Sequence, residues 1–334
     1  MNALRTAIIG CGGIASQHAS LLSELERVEL VALCDIVRQR AEGFNQQYAG
    51  GQASIFTDYH TMYRETDLDL VYICLPPFAH SEEVQLAAGR GVHIFIEKPI
   101  ALDMGLAQEM TQAVEASGVK SQVGFVLRFG QAIEHLKGAL ADGSAGAPGL
   151  MVARYFCNAL HAPWWRMREK SGGQVVEQII HIFDLAHHLL GRPEVVYSRQ
   201  ANLFHREVEG YTAEDVSGTV VCFESGALAV VGGTNGAIPR KWIGDYRVVT
   251  ERITADFTDA NHALFCHTAA EPVWTTAISS ERDMFLAETL DLISAIDSDG
   301  QTRTPMREGV ATLALVLAAA ESAERHTEVR VLEV

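Results

Sequence analysis

The chain has 334 residues, more than one ordinary domain uses, and its 48% hydrophobic and 20% charged content describes a soluble globular protein expected to form two domains with separate cores. A formal net charge of −16 argues against nucleic acid or an anionic membrane as a partner, since both need clustered Lys and Arg. No apolar run approaches the ~18 residues of a membrane span and no signal peptide is expected, while six scattered cysteines without a C-x-x-C pair read as reduced core thiols of a cytoplasmic protein.

Thr6-Ala7-Ile8-Ile9 reads as a buried strand that stops at Gly10-Cys11-Gly12-Gly13-Ile14-Ala15, after which Ile14, Leu21, Leu22 and Leu25 mark a helix face. A G-x-G-x-x-A turn between strand and helix is a phosphate grip. Gly10 permits the tight turn, Gly12 lets the backbone approach a pyrophosphate, Gly13 and Ile14 complete the loop, and the small Ala15 allows close packing of helix on strand. The next strand, 28–34, ends at Asp35, where a carboxylate can accept hydrogen bonds from a ribose diol. Asp35 favours NAD by repelling the extra phosphate of NADP. Arg38 and Arg40 keep NADP open, because either guanidinium can stack on adenine or pair with a 2′-phosphate, or can simply be solvated on a first helical turn.

Strands at 55–56, 70–75, 92–96 and 119–125 alternate with helical patterns, which predicts a doubly wound parallel Rossmann sheet over residues 1–125. Ligands of such sheets bind beyond the carboxyl ends of the strands. The two loops expected there are Leu75-Pro76-Pro77-Phe78-Ala79-His80 and Glu97-Lys98-Pro99, so Leu75, Pro76, Pro77, His80, Glu97 and Lys98 are assigned to the cofactor. Lys98, on a backbone stiffened by the following proline, can hydrogen-bond a substrate oxygen and stabilise alkoxide charge; a solvated surface lysine is the plainer alternative.

Past residue 125 the pattern changes to strand-like runs at 151–156 and 219–223, the latter joined to 227–231 by a Ser225-Gly226 hairpin turn, with helices at 283–296 and 308–324. A separate α+β substrate domain over 126–334 is expected. Within it Glu177 and His181, four apart, share a face of a predicted helix, as do His181 and Asp184, and an imidazole beside a carboxylate suits general acid–base work. A zinc site through His181, His187 and His188 lacks a Cys partner or an H-E-x-x-H arrangement, so no metal is expected. Trp164-Trp165-Arg166 reads either as a sugar platform with a guanidinium for a hydroxyl or carboxylate, or as core; Arg128 is assigned to the cofactor and His161 to the pocket wall.

In order, the opening glycine turn, Leu75-Pro76-Pro77 with His80, Glu97-Lys98-Pro99, and Gly172-Gly173 ahead of an acid-x-x-x-His pair resemble the Gfo/Idh/MocA oxidoreductase family over nearly the whole chain. The resemblance implies an NAD(P)-dependent dehydrogenase or reductase acting on a sugar, inositol or related polyol. It also implies a carboxyl-terminal domain with a large open, mainly antiparallel sheet, and a homodimer or homotetramer. The family's catalytic set falls on Lys98, Glu177 and His181. Where the family often has Asp-x-Gly-x-His, this chain has Glu177-Gln178-Ile179-Ile180-His181. Two other functions fit the fold: a glycoside hydrolase or lyase that oxidises its substrate transiently and regenerates its own NAD, and a dinucleotide sensor without turnover.

Overall fold

Two separate sheets, of six and nine strands, organise residues 2–334 in the computed structural model. The first is built from β1 (Leu4–Ile9), β2 (Val28–Cys34), β3 (Ser54–Phe56), β4 (Leu70–Ile73), β5 (His93–Ile96) and β6 (Ser121–Val123), all parallel, in the order β3-β2-β1-β4-β5-β6. The intervening helices are α1 (Gly13–Glu24), α2 (Arg38–Tyr48), α3 (Tyr59–Glu65), α4 (Glu83–Ala88) and α5 (Met104–Ser117). The chain starts in the middle at β1, winds outward through β2 and β3, then crosses to β4 on the other side. The loops after β1 and β4 therefore flank the point where the winding reverses, which is where open α/β sheets take ligands.

The predicted strands 70–75 and 119–125 are shorter in the structure because the chain turns off early into short 3₁₀ segments, Pro77–Ala79 and Val126–Phe129. In α1 the buried stripe is Ala15, His18, Ala19 and Leu22, at i, i+3, i+4 and i+7, rather than the one expected through Ile14 and Leu25; Ile14 is exposed.

One compact unit runs to Gly124 and resumes over Phe285–Val310, and the other comprises Phe125–Met284 with Ala311–Val334. This corrects the single division into 1–125 and 126–334. The cause is α11 (Met284–Ser298), whose Leu292 and Ile293 join Leu4, Ile8, Leu22, Leu33 and Tyr72 in one core, while the Gln122 side chain donates to the Glu288 carbonyl at 2.7 Å. Past α11 the chain runs beside β6: Val123 N–H donates to Thr304 O at 2.7 Å, and the Thr304 hydroxyl returns a bond to Val123 O at 2.8 Å.

The second unit contains α6 (Gln131–Ala141), β7 (Pro148–Phe156), the short turns α7 (Pro163–Arg166), α8 (Arg168–Ser171) and α9 (Gln174–Glu177), then α10 (Ile180–Leu190). Strands β8 (Pro193–Ala201), β9 (Val216–Phe223), β10 (Leu228–Thr234), β11 (Ile243–Thr250), β12 (Ile253–Phe257), β13 (Ala263–His267) and β14 (Trp274–Ile278) follow. The chain closes with α12 (Met306–Arg325) and β15 (Val329–Arg330). The sheet order is β14-β13-β12-β11-β7-β10-β9-β8-β15, open at both edges and antiparallel except for β7 with β10. The predicted hairpin is present, with Cys222 opposite Leu228. Helix α10 covers one face over β7 and β10; on the other, Val152, Val220, Leu228 and Val230 remain exposed.

Candidate active site

Gly10 has φ +88°, and a Cβ there would lie 2.5 Å from the Cys74 carbonyl oxygen, so the turn after β1 admits only glycine. A methyl group on Gly12 or Gly13 would meet nothing within 4 Å, and α1 begins there with no side chain capping its first turn. Open space beside uncapped helix amides is what an anionic pyrophosphate needs. Asp35 stands at the tip of β2, its Oδ2 accepting the Cys11 N–H at 2.9 Å and its Oδ1 the Val37 N–H at 2.8 Å. Burial, ahead of the nearby Asp35 charge, pushes the Cys11 thiol up to about 12, so it brings no negative charge to a phosphate. These residues fit a dinucleotide. Arg38 pairs with Glu42 at 2.8 Å on the exposed face of α2, and Arg40 is also exposed. Ile36, 88% exposed beside Asp35, was not singled out by its sequence and offers an apolar surface at the strand tip.

In the loop after β4, His80 Nδ1 meets Glu83 Oε1 at 2.6 Å, and both side chains are fully buried. Burial alone would raise the Glu83 carboxyl, but the bond and charge of His80 outweigh it and hold the carboxyl below its usual range. Glu97, expected at the cofactor, is instead buried: its Oε1 meets His18 Nε2 at 2.8 Å and its Oε2 accepts the Lys98 backbone N–H at 3.2 Å. Lys98 itself is half-buried at the exit of β5.

In the second unit, Gly172 and Gly173 take φ +79° and +97°, and a Cβ on Gly173 would collide with the Glu214 carboxylate. That carboxylate accepts the Val175 N–H at 2.7 Å and so fastens the start of α9, whose last residue is Glu177. Glu177 and His181 do not share one continuous helix. The Ile179 N–H reaches back five residues to Gln174 O at 2.9 Å, a wide turn that separates α9 from α10. Glu177 Oε2 accepts the Trp165 indole N–H at 2.6 Å.

Several assignments change in consequence. Trp165 is only 3% exposed, packed against Tyr211 and His161, and is not an open platform; Trp164 is partly buried beside it. Arg166 commits Nε to Leu160 O at 2.7 Å and Nη2 to His161 O at 3.1 Å, bracing its own loop rather than presenting a fork to a substrate. Arg128, assigned to the cofactor, is buried and forks onto Asp184 at 2.6 and 2.8 Å. Asp184 also accepts from the Thr312 hydroxyl at 3.2 Å, so it anchors Arg128 and α12 in the core.

His161, in the left-handed region at φ +53°, lies 4.2 Å from the Trp165 ring and 6.0 Å from that of Trp242, and its Nε2 is 3.1 Å from the Gln178 side-chain nitrogen. Burial lowers the His161 pKa, against the raising effect of the Glu177 charge. Trp242, 52% exposed and edge-on to His161, was missed by sequence reading; it lies in a Gly/Pro-containing loop with no periodic signal. Among the described residues no group of three or more His, Cys, Asp or Glu is arranged to hold a metal.

The family model described as "Oxidoreductase family, NAD-binding Rossmann fold" matches residues 4–125, and "GFO/IDH/MocA C-terminal domain" matches 133–256. The chain belongs to the Gfo/Idh/MocA oxidoreductase family. An inositol 2-dehydrogenase of Salmonella typhimurium is 31% identical over 206 residues, 60% of this chain and 60% of that protein. A D-apiose dehydrogenase of Paraburkholderia graminis is 29% identical over 347 residues, covering 98% of this chain and 90% of its own. Levoglucosan dehydrogenase in complex with NADH has the same fold at a TM-score of 0.90 and 18% identity, over 99% of this chain and 100% of that one. Against this background the chain is an NAD(P)-dependent oxidoreductase, and a sugar or polyol dehydrogenase is the function its relatives support.

Proposed function

We propose that the protein oxidises a secondary hydroxyl of an uncharged sugar or cyclitol, with Lys98, Glu177 and His181 as its catalytic residues. The observation that carries the substrate class is a group of neighbouring side chains in the second unit. Glu177, His161 and Trp242 supply hydrogen-bonding groups and an aromatic edge, while Arg166, the cation best suited to a substrate carboxylate, is engaged by two backbone carbonyls.

NAD, when bound, supplies the hydride acceptor. Gly10, Gly12 and Gly13 with the α1 amides would hold its phosphates, and Asp35 its adenosine ribose. His181 takes the hydroxyl proton as the carbon–hydrogen bond breaks with its electron pair and the carbonyl forms. Lys98 donates to the same oxygen and stabilises the negative charge that develops there. Glu177, fixed by the Trp165 indole, accepts hydrogen bonds from the substrate and orients it.

The exposed face of the nine-stranded sheet, with Val152, Val220, Leu228 and Val230, supports a homodimer or dimer of dimers. Six free thiols support a reducing, cytoplasmic setting.

The deciding experiment follows absorbance at 340 nm with NAD and with NADP against inositols, aldoses, polyols and the matching uronates. Reduction of NAD by uncharged substrates, with uronates much poorer, is expected. A preference for uronates, or no dinucleotide uptake by calorimetry, overturns the proposal.

A further inference from the structure

The first unit contains a buried hydrogen-bonded couple, His18 with Glu97, to which the glycine turn gives no role. His18 lies on α1, the helix whose amino terminus faces the glycine turn, and its side chain has 0% exposure. A carboxylate can only accept, so His18 Nε2 carries the proton and donates to Glu97 Oε1 at 2.8 Å. The ring is boxed by Tyr72, Phe95 and Phe285 at centroid distances of 5.3, 4.7 and 5.6 Å. Its rotamer is set by packing on three sides. Glu97 turns its other oxygen to the Lys98 backbone N–H at 3.2 Å, and a Cβ on Gly124 would sit 2.9 Å from that oxygen, so the residue following β6 leaves room for the carboxylate only by being glycine.

We propose that His18 and Glu97 are positioning residues that fix Lys98 relative to the phosphate-binding helix. The couple is one link, α1 to His18 to Glu97 to the Lys98 amide, made of hydrogen bonds to a buried carboxylate, where such bonds are strong. The function follows from where the link ends. One end lies on the helix whose amino terminus faces the glycine turn and the other on the backbone of residue 98, so dinucleotide uptake at the turn is reported at the lysine. This inference rests on the reading of Lys98 as a catalytic residue, and its test separates the two.

The chain has only five lysines, Lys98, Lys120, Lys137, Lys170 and Lys241, so reductive ¹³C-methylation of the intact protein gives a countable set of NMR signals, and the signal lost in Lys98→Met identifies residue 98. In the wild type that signal is expected to move on adding NAD. In His18→Phe, which keeps the ring packing and removes the donor, NAD should bind within about threefold of wild type while the Lys98 signal no longer responds to it. Turnover should fall at least about tenfold with the substrate KM within about threefold. Should His18→Phe not fold, Glu97→Gln can still accept from His18 but turns an amide donor toward the Lys98 N–H, and the same loss of response is expected. An unaltered Lys98 response in the folded variant overturns the proposal. Full activity in Lys98→Met would instead overturn the catalytic reading of that lysine, leaving the NMR test of the link intact.

Discussion

The Trp165 indole N–H donates to Glu177 Oε2 at 2.6 Å across twelve residues of chain that include the Gly172-Gly173 turn, so the second tryptophan of the pair serves a carboxylate. A hydrogen bond to a charged group contributes about 1.5–3 kcal/mol. Trp165→Phe keeps most of the ring and removes the donor. Its kcat/KM is expected to fall roughly 10- to 100-fold, with NAD affinity unchanged by fluorescence titration. Unaltered kinetics would show that the indole does not hold Glu177 in its working geometry.

Lys98→Met replaces an ammonium by an apolar chain of similar length. Loss of one donor to a developing oxyanion should lower kcat by about 10²–10³. Calorimetry with NAD alone should give nearly the wild-type dissociation constant, since the proposed pyrophosphate grip is the α1 amides and not Lys98.

The two glycines of the opening turn should separate folding from binding. Gly10→Ala puts a methyl 2.5 Å from the Cys74 carbonyl at a φ of +88° and should cost about 2–4 kcal/mol of stability. Gly12→Ala places its methyl in open space and should change stability by no more than ~0.5 kcal/mol. In the proposed binding mode the same methyl lies in the path of the phosphate, so NAD should bind at least about tenfold more weakly. Urea denaturation and titration of each variant read the two effects independently.

Glu214 gives a pH signature. Burial holds its carboxyl above the usual range, against the Val175 N–H and the Arg168 charge. The native state therefore keeps the proton to higher pH than the unfolded chain does. The stability tied to this group is complete below the ordinary carboxylate value of about 4.3 and is lost as pH rises through the raised native value. Glu214→Gln, permanently neutral, should gain stability relative to wild type as pH rises from about 5 to about 8. A constant gap across that range would mean that Glu214 is not protonated in the native state at the lower pH.

The glycine turn, the acid at the tip of the second strand and the lysine at the exit of the fifth were legible because each is local: a few residues whose backbone chemistry is decided by their neighbours. The alternation of strands and helices carried the first sheet for the same reason, and the Ser225-Gly226 turn between two apolar runs carried the hairpin of the second. What escaped depends on distant partners. Glu97 reads as a cofactor contact until His18, 79 residues earlier, is brought against it, and Arg128 reads as a binding group until Asp184, 56 residues later, captures it. His18 did leave a signal, as the one polar member of the stripe Ala15, His18, Ala19, Leu22. The wide turn at Ile179 left none, because Gln174 to His181 has ordinary helical composition and one displaced hydrogen bond decides which way Glu177 faces.

The return of Phe285–Val310 to the first unit has a consequence for synthesis. A ribosome that has released Gly124 has not yet made Leu292 and Ile293, which fill the core against Leu22 and Leu33. The nucleotide half must wait, incompletely buried, while all of Phe125–Met284 is translated. A gene fragment stopped at codon 124 would encode an unfinished half, and grafting this cofactor module onto another protein would require carrying the distant helical segment along with it.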